Sequence, residues 1–310
     1  MPFAAAAMRF FRVVQKDILR LWFSGAQKIA DCLLWGCYSK DVKVMSAITD
    51  AKRLVVKVGT STLTYENGKL NIRAIESLCK VLSDLQNSGK EVVLVSSGAI
   101  GVGVGKLGLR ERPRETQEKQ AVAAVGQCEL MFIYDKLFGE YNRTVAQVLL
   151  TRDIMMNEHS KQNVINTFKT LIHMDIIPVV NENDTVAIDE LVGANFGDND
   201  TLSAIVATIV DADLLVMLTD IDGLYTADPH TYPDAKRIAV VNRVDDELKA
   251  LAGGAGSKRG TGGMITKLCA AELAMQSGIS TAIIHGGCPE RLYDLLDGKD
   301  IGTVFTPGGV

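Results

Sequence analysis

Two hydrophobic rhythms alternate along the chain. Short β-branched runs recur, and between them lie longer stretches whose apolar residues return every third or fourth position. Arg53-Leu54-Val55-Val56-Lys57-Val58 is the first of the short runs and predicts a buried strand. Over residues 71–88, Ile72, Ile75, Leu78, Val81, Leu82 and Leu85 keep helical spacing, and the pattern stops near Gly89. Glu91 to Val95 predicts a second strand ending in Ser96-Ser97-Gly98, and a long helical stretch then runs through Ala121 to Tyr141. Further strands are predicted at Thr144 to Leu150, Ile176 to Val180, Ala212 to Leu218 and Thr281 to Ile284, with helices between most of them, notably over 200–210 and 263–277. Strands alternating with helices imply an α/β fold, a three-layer α-β-α sandwich with a mainly parallel central sheet. In such sheets a ligand sits beyond the carboxyl ends of the strands, so candidate chemistry is sought just after each strand.

The composition is that of a soluble globular chain: 310 residues, 47% hydrophobic and 23% charged, which excludes a disordered or fibrous protein. A net charge of -4 gives no overall field that would gather nucleic acid. No stretch reaches the roughly 18 apolar residues of a membrane span, so no membrane partner is expected. Six Cys without a repeated short spacing argue against a disulfide scaffold or a zinc ribbon, and the expected location is intracellular.

The first 44 residues read differently. They carry seven Lys/Arg against three Asp, and both Trp residues, Trp22 and Trp35. Arg-rich and acid-poor, this segment is either a poorly ordered extension or an organelle-targeting one, the latter making the location organellar rather than cytoplasmic. Residues 45–310 are taken as the functional domain.

Five segments follow strands and concentrate Gly, Asn, Asp, Ser and Lys. Lys57-Val58-Gly59-Thr60-Ser61 places a cation in an apolar strand, where its ammonium needs a partner, beside a glycine that lets a ligand approach the backbone. The plain alternative is an edge-strand lysine reaching solvent. Ser96-Ser97-Gly98-Ala99-Ile100 offers N–H groups to an anion, or a simple N-cap by Ser97. Asn181-Glu182-Asn183-Asp184-Thr185 and Gly197-Asp198-Asn199-Asp200-Thr201 suit an amino group, a cation or the orientation of lysines, although turns and caps use the same residues. Thr219-Asp220 opens a run to Pro229, and Gly260 to Lys267 reads as a glycine loop feeding a helix N-terminus, a ready anion site. Gly103-Val104-Gly105-Lys106-Leu107-Gly108 matches the dinucleotide fingerprint but begins too far past its strand, and Glu129 falls in a helix instead of at a strand tip. None of the four His, His159, His173, His230 and His285, lies in a candidate motif.

In order and together, these segments resemble the amino acid kinase family, and within it the members that phosphorylate the γ-carboxylate of L-glutamate. The matching stretches are Lys57 to Ser61, Ser97 to Ile100, Asn181 to Asp184, Gly197 to Ala204, Leu218 to Pro229 and Gly260 to Lys267, spread over residues 52–306. The resemblance implies an amino acid kinase-type fold and a phosphotransferase using ATP and Mg²⁺ in the first step of proline synthesis. For this chain a kinase domain only is expected, with the N-terminal part of residues 45–310 binding substrate and the C-terminal part binding ATP, and a cytoplasmic location; the resemblance further implies L-proline as feedback inhibitor and assembly into homo-oligomers. By the same resemblance Lys57, Asp200 and Lys267 are catalytic, and Ser97, Asp184 and Asn199 bind glutamate. ATP falls to Lys57, Gly59, Thr219, Asp220, Thr261, Gly262, Gly263, Met264, Ile265, Thr266 and Lys267, with Mg²⁺ held through the ATP phosphates and no protein metal ligand expected. Two other readings compete: a kinase of the same fold acting on another small acid or carbamate, and an amino-acid sensor without catalysis.

Overall fold

A computed structural model describes residues 46–65, 68–186, 199–229, 231–253 and 263–307. The chain divides between Ser46 and Ala47, and the fold is that of the second unit. The predicted extension over 1–44 lies outside the described residues, as do Thr261, Gly262 and His230.

Eight strands form one sheet in the order β3-β4-β2-β1-β5-β9-β10-β8. They are β1 (Arg53–Val58), β2 (Glu91–Ser96), β3 (Val145–Leu150), β4 (Ile177–Glu182), β5 (Leu214–Thr219), β8 (Val240–Val241), β9 (Ser280–His285) and β10 (Thr303–Phe305). A two-stranded ribbon of β6 (Leu224–Tyr225) and β7 (Arg237–Ile238) stands apart. Every pairing in the large sheet is parallel except β9 with β10. The short strands β6, β7, β8 and β10 were not among the sequence predictions, because two or three residues carry no readable period.

Helices cover both faces. Leu54, Val56 and Val58 of β1 point into one core with Leu94, Val216 and Ile284. That core packs under α2 (Ile72–Asn87), α3 (Ala99–Leu107), α4 (Thr116–Gly139) and α10 (Arg291–Leu296). Val55 points into the other core with Val95, Met217 and Ile283, under α6 (Glu158–His173), α7 (Asn199–Ile209) and α9 (Met264–Gln276). The period-2 alternation of a strand buried on both sides explains the continuous apolar runs seen in the sequence. Three shorter helices are α1 (Thr60–Leu63), α5 (Arg152–Met156) and α8 (Asp246–Gly253). Among the described residues no helix is long and apolar enough to cross a membrane.

The stretch predicted as one long helix through Tyr141 is two helices, α3 and α4, broken over 108–115. Gly108, at φ 64°, ends α3 in the left-handed conformation that glycine takes without strain. The break lets α4 fold back along α3, and glycines make that contact close. A Cβ on Gly103 would lie 2.1 Å from the Val122 carbonyl oxygen, and one on Gly126 would lie 1.8 Å from that of Ala99. A Cβ on Gly105 would meet the Gly68 carbonyl oxygen at 2.3 Å. The glycines of the fingerprint-like run therefore serve packing and the helix end, and no phosphate turn is formed there. Replacing Gly126 by Ala forces backbone apart, so the variant is expected to lose roughly 3 kcal/mol, read as a lower denaturant midpoint.

Candidate active site

The carboxyl ends of the central strands meet at one edge of the sheet. Val58 lies level with Ser96 of β2 and Leu218 of β5, and Thr219 lies level with His285 of β9. Lys57, one residue before the end of β1, points to the face covered by α7 and α9, since its neighbour Val56 faces the other core. Because β1 sits between β2 and β5, the edge-strand alternative for Lys57 does not hold.

Lys57 finds its partner in the first turn of α7. Its Nζ lies 2.6 Å from Asp200 Oδ1, and the Lys267 Nζ lies 3.1 Å from Asp200 Oδ2. The Thr266 hydroxyl donates to the same Oδ2 at 2.9 Å. Exposure is 0% for Asp200, 6% for Lys57 and 8% for Lys267, so this is a buried cluster and not a surface pair. Burial alone would raise the Asp200 pKa, but the Lys57 and Lys267 ammonium groups outweigh it and lower the value to about 2. Asp200 also gains from its place at a helix N-terminus, where a negative charge is favoured. The three charged side chains sum to one positive charge, fixed in place at the strand ends.

Among the described residues, a Cβ on Gly59 would approach no neighbouring atom closer than 3.8 Å, and one on Gly263 would meet nothing within 4 Å. Packing among the described residues thus does not require glycine at either place, unlike Gly126. Gly263 is the N-cap of α9 and makes no side-chain cap bond, and Met264, Ile265, Thr266 and Lys267 form the first turn behind it. A helix start of this kind presents backbone N–H groups to an anion.

Residues 52–285 match the sequence pattern of the amino acid kinase family, about three quarters of the chain. The chain belongs to the amino acid kinase family. Among its relatives are proteins named glutamate 5-kinase. The one from Clostridium perfringens is 61% identical over 260 residues, covering 84% of this chain and 97% of that protein. The one from Listeria monocytogenes is 56% identical over 260 residues, with 84% and 94% covered. A solved isopentenyl phosphate kinase superposes with a TM-score of 0.59 at 16% identity, covering 82% of this chain and all of that one. At that identity the likeness concerns the fold, and it confirms the predicted sandwich as the amino acid kinase architecture.

The amino acid kinase fold gathers a second, uncharged cluster next to the lysines. Ser97 does not cap α3; that position is Gly98, in the left-handed region at φ 100°. The Ser97 hydroxyl instead accepts a hydrogen bond from Asn199 Nδ2 at 2.9 Å. The same Nδ2 donates to Asn181 Oδ1 at 3.1 Å, and Asn181 Nδ2 donates to Gln127 Oε1 of α4 at 2.9 Å. Below them Ser96 and the fully buried Tyr134 share a 2.8 Å hydrogen bond. Asn199 is thus next to Asp200 in sequence and bridges the two clusters.

Of the sequence-predicted residues, Lys57, Asp200, Thr266 and Lys267 converge, and Ser97 and Asn199 converge beside them. Asp184 lies half-buried just past β4. Thr219 is buried at the end of β5, where its carbonyl accepts from Gly286 N–H at 2.7 Å and its hydroxyl donates to exposed Asp220 at 3.0 Å. Thr266, predicted as an ATP contact, turns its hydroxyl to Asp200. Gln127 and His285 were not predicted. Gln127 sits in a helix with no motif around it. His285 ends β9 level with Thr219, its Nδ1 accepting from Gly287 N–H at 3.0 Å. Only a strand-end rule applied to β9 could have flagged it.

Proposed function

We propose that the protein transfers the γ-phosphoryl group of ATP to the γ-carboxylate of L-glutamate, giving L-glutamyl 5-phosphate, the first step of proline biosynthesis. The observation that carries the phosphoryl-transfer reading is the convergence of Lys57 and Lys267 on opposite oxygens of Asp200. The acceptor carboxylate, with a reference pKa of about 4.3, is already ionised at neutral pH, so the reaction needs no general base. What remains for the protein is positioning and charge neutralisation. A carboxylate oxygen attacks the γ-phosphorus in line, the bond to the ADP oxygen breaks, and an acyl phosphate and ADP leave.

In this reading Lys57 and Lys267 neutralise the phosphoryl oxygens, and Asp200 keeps both ammonium groups aimed. Gly59, Gly263 and the first turn of α9 approach the phosphates through backbone, with Thr219 and Asp220 further along the nucleotide. Thr261 and Gly262 are assigned to ATP by the family resemblance alone. Ser97, Asp184 and Asn199 bind glutamate. When bound with ATP, Mg²⁺ would add to the neutralisation that Lys57 and Lys267 provide.

L-Proline also carries an α-carboxylate beside a charged α-nitrogen, there a secondary ring amine, and is assigned as inhibitor by the family resemblance, as is assembly into homo-oligomers; a cytoplasmic location goes with this reading. The deciding assay is ATP consumption with L-glutamate and Mg²⁺ in the presence of hydroxylamine, which traps the acyl phosphate as a hydroxamate. Hydroxamate from another acid but none from glutamate would transfer the reading to that acid; no turnover with any acceptor, despite ATP binding, would indicate a sensor. Asp184→Ala is expected to raise KM for glutamate about tenfold, by loss of one charged hydrogen bond, with KM for ATP nearly unchanged. A larger effect on ATP would place Asp184 elsewhere in the site.

A further inference from the structure

The amide chain behind Ser97 has a direction, and at its outer end stands Gln127 of α4. An Asn side chain can present either its carbonyl oxygen or its amide N–H, and the network around it decides which. Asn199 Nδ2 spends its two protons on Ser97 Oγ and Asn181 Oδ1. Asn181 can accept through Oδ1 only because its own Nδ2 turns the other way, towards Gln127 Oε1. The outcome at the inner end is specific. Asn199 Oδ1 is buried and has no hydrogen-bond partner among the described residues. The Ser97 hydroxyl, having accepted from Asn199, keeps its proton to donate. A buried acceptor beside a buried donor suits the α-ammonium and a carboxylate of an amino acid. A buried carbonyl left unpaired costs on the order of 1–3 kcal/mol until a ligand satisfies it.

We propose that Gln127 is a positioning residue for glutamate: its Oε1 orients Asn181, and through Asn181 it turns the Asn199 oxygen and the Ser97 hydroxyl proton towards the substrate. Were position 127 to offer only a donor, Asn181 would turn its oxygen outward to it. Asn199 would then have to accept from Asn181 Nδ2, consuming the oxygen meant for the ammonium group. The helix contact supports the arrangement. Gly126, the residue before, brings α4 against the carbonyl of Ala99, at the start of α3 two residues past Ser97. The same close approach that demands glycine at 126 puts the next side chain within reach of the end of β4.

This inference rests on the glutamate reading of Ser97 and Asn199, and its test separates the two. Gln127→Leu and Gln127→Glu are compared with the parent and with Ser97→Ala in the hydroxamate assay, with melting curves for each. Gln127→Leu removes the acceptor at similar size, and KM for glutamate is expected to rise about tenfold while KM for ATP stays within about twofold. Gln127→Glu keeps an acceptor towards Asn181 Nδ2 and is expected to hold KM for glutamate within about threefold of the parent. If both variants raise both KM values together and lower the melting temperature, Gln127 is only a packing residue and the proposal is overturned. An unchanged KM for glutamate in Gln127→Leu overturns it as well. If Ser97→Ala also leaves KM for glutamate unchanged, it is the substrate site itself that has been misassigned.

Discussion

Replacing Lys267 by Ala is expected to lower kcat by about a thousandfold while KM for either substrate moves only a few-fold. In the proposed reaction the ammonium group acts on charge that shifts as the phosphoryl group moves, so its loss falls on the transition state more than on the bound substrates. The fold should tolerate the change, because Asp200 keeps the Lys57 ammonium at 2.6 Å and the Thr266 hydroxyl at 2.9 Å. Steady-state rates beside a melting curve are the check. An intact kcat in a folded variant removes Lys267 from the chemistry. Lys57→Ala should fall in the same direction, with a larger share in KM for ATP.

Asp200→Asn is expected to damage both stability and rate. The amide has the same shape but no charge, and it leaves two buried ammonium groups facing each other. Removing one partner of a buried ion pair typically costs about 3–5 kcal/mol, and misdirected lysines should cost kcat at least about a hundredfold. An anion should repair part of the loss. Inorganic phosphate or a non-hydrolysable ATP analogue is expected to raise the melting temperature of the variant more than that of the parent, by taking over the missing negative charge. A variant as stable and as active as the parent would show that Asp200 holds neither lysine in any way that matters.

The same residue gives an acid limit. In the fold the Asp200 pKa lies at about 2, against roughly 3.9 for an unperturbed Asp. The unfolded chain therefore binds the proton first as pH falls. The stability contributed by Asp200 is complete above about pH 4 and drains away towards pH 2. Asp200→Asn has no such group, so the difference in stability between parent and variant should narrow over that window.

Much of this site was legible before any coordinates. Lys57 stood out because an ammonium inside a β-branched run cannot be buried alone, and the structure supplies its carboxylate. The Asn-rich and Asp-rich turns stood out because they followed strands, where an α/β sheet presents its ligand edge. Gly263 and Lys267 announced a helix start with a cation one turn in. Other features were hidden for physical reasons. The break between α3 and α4 was missed although Gly108 and Pro113 mark it, because apolar residues on both sides keep helical spacing. The antiparallel β10 and its neighbour β8 are too short to leave a period. Gln127 has no local signature, because its proposed role depends on a helix crossing that two glycines make close, and glycine spacing in sequence reads equally as a phosphate loop or a packing seam.

The sequence alone determined the longer strands and most of the helices, the two buried faces of the sheet and the stock of lysines, carboxylates, amides and glycines at strand ends. Those follow from local patterning, since side-chain alternation and helical spacing act over a few residues. Tertiary structure decided which of those groups meet. Asp200 and Lys267 stand 67 positions apart, and they touch because α7 and α9 pack side by side on one face. Lys57 joins them because β1 occupies the middle of the strand order. That order is set by which apolar faces bury each other best, a sum over contacts distant in the chain, and no window of sequence contains it.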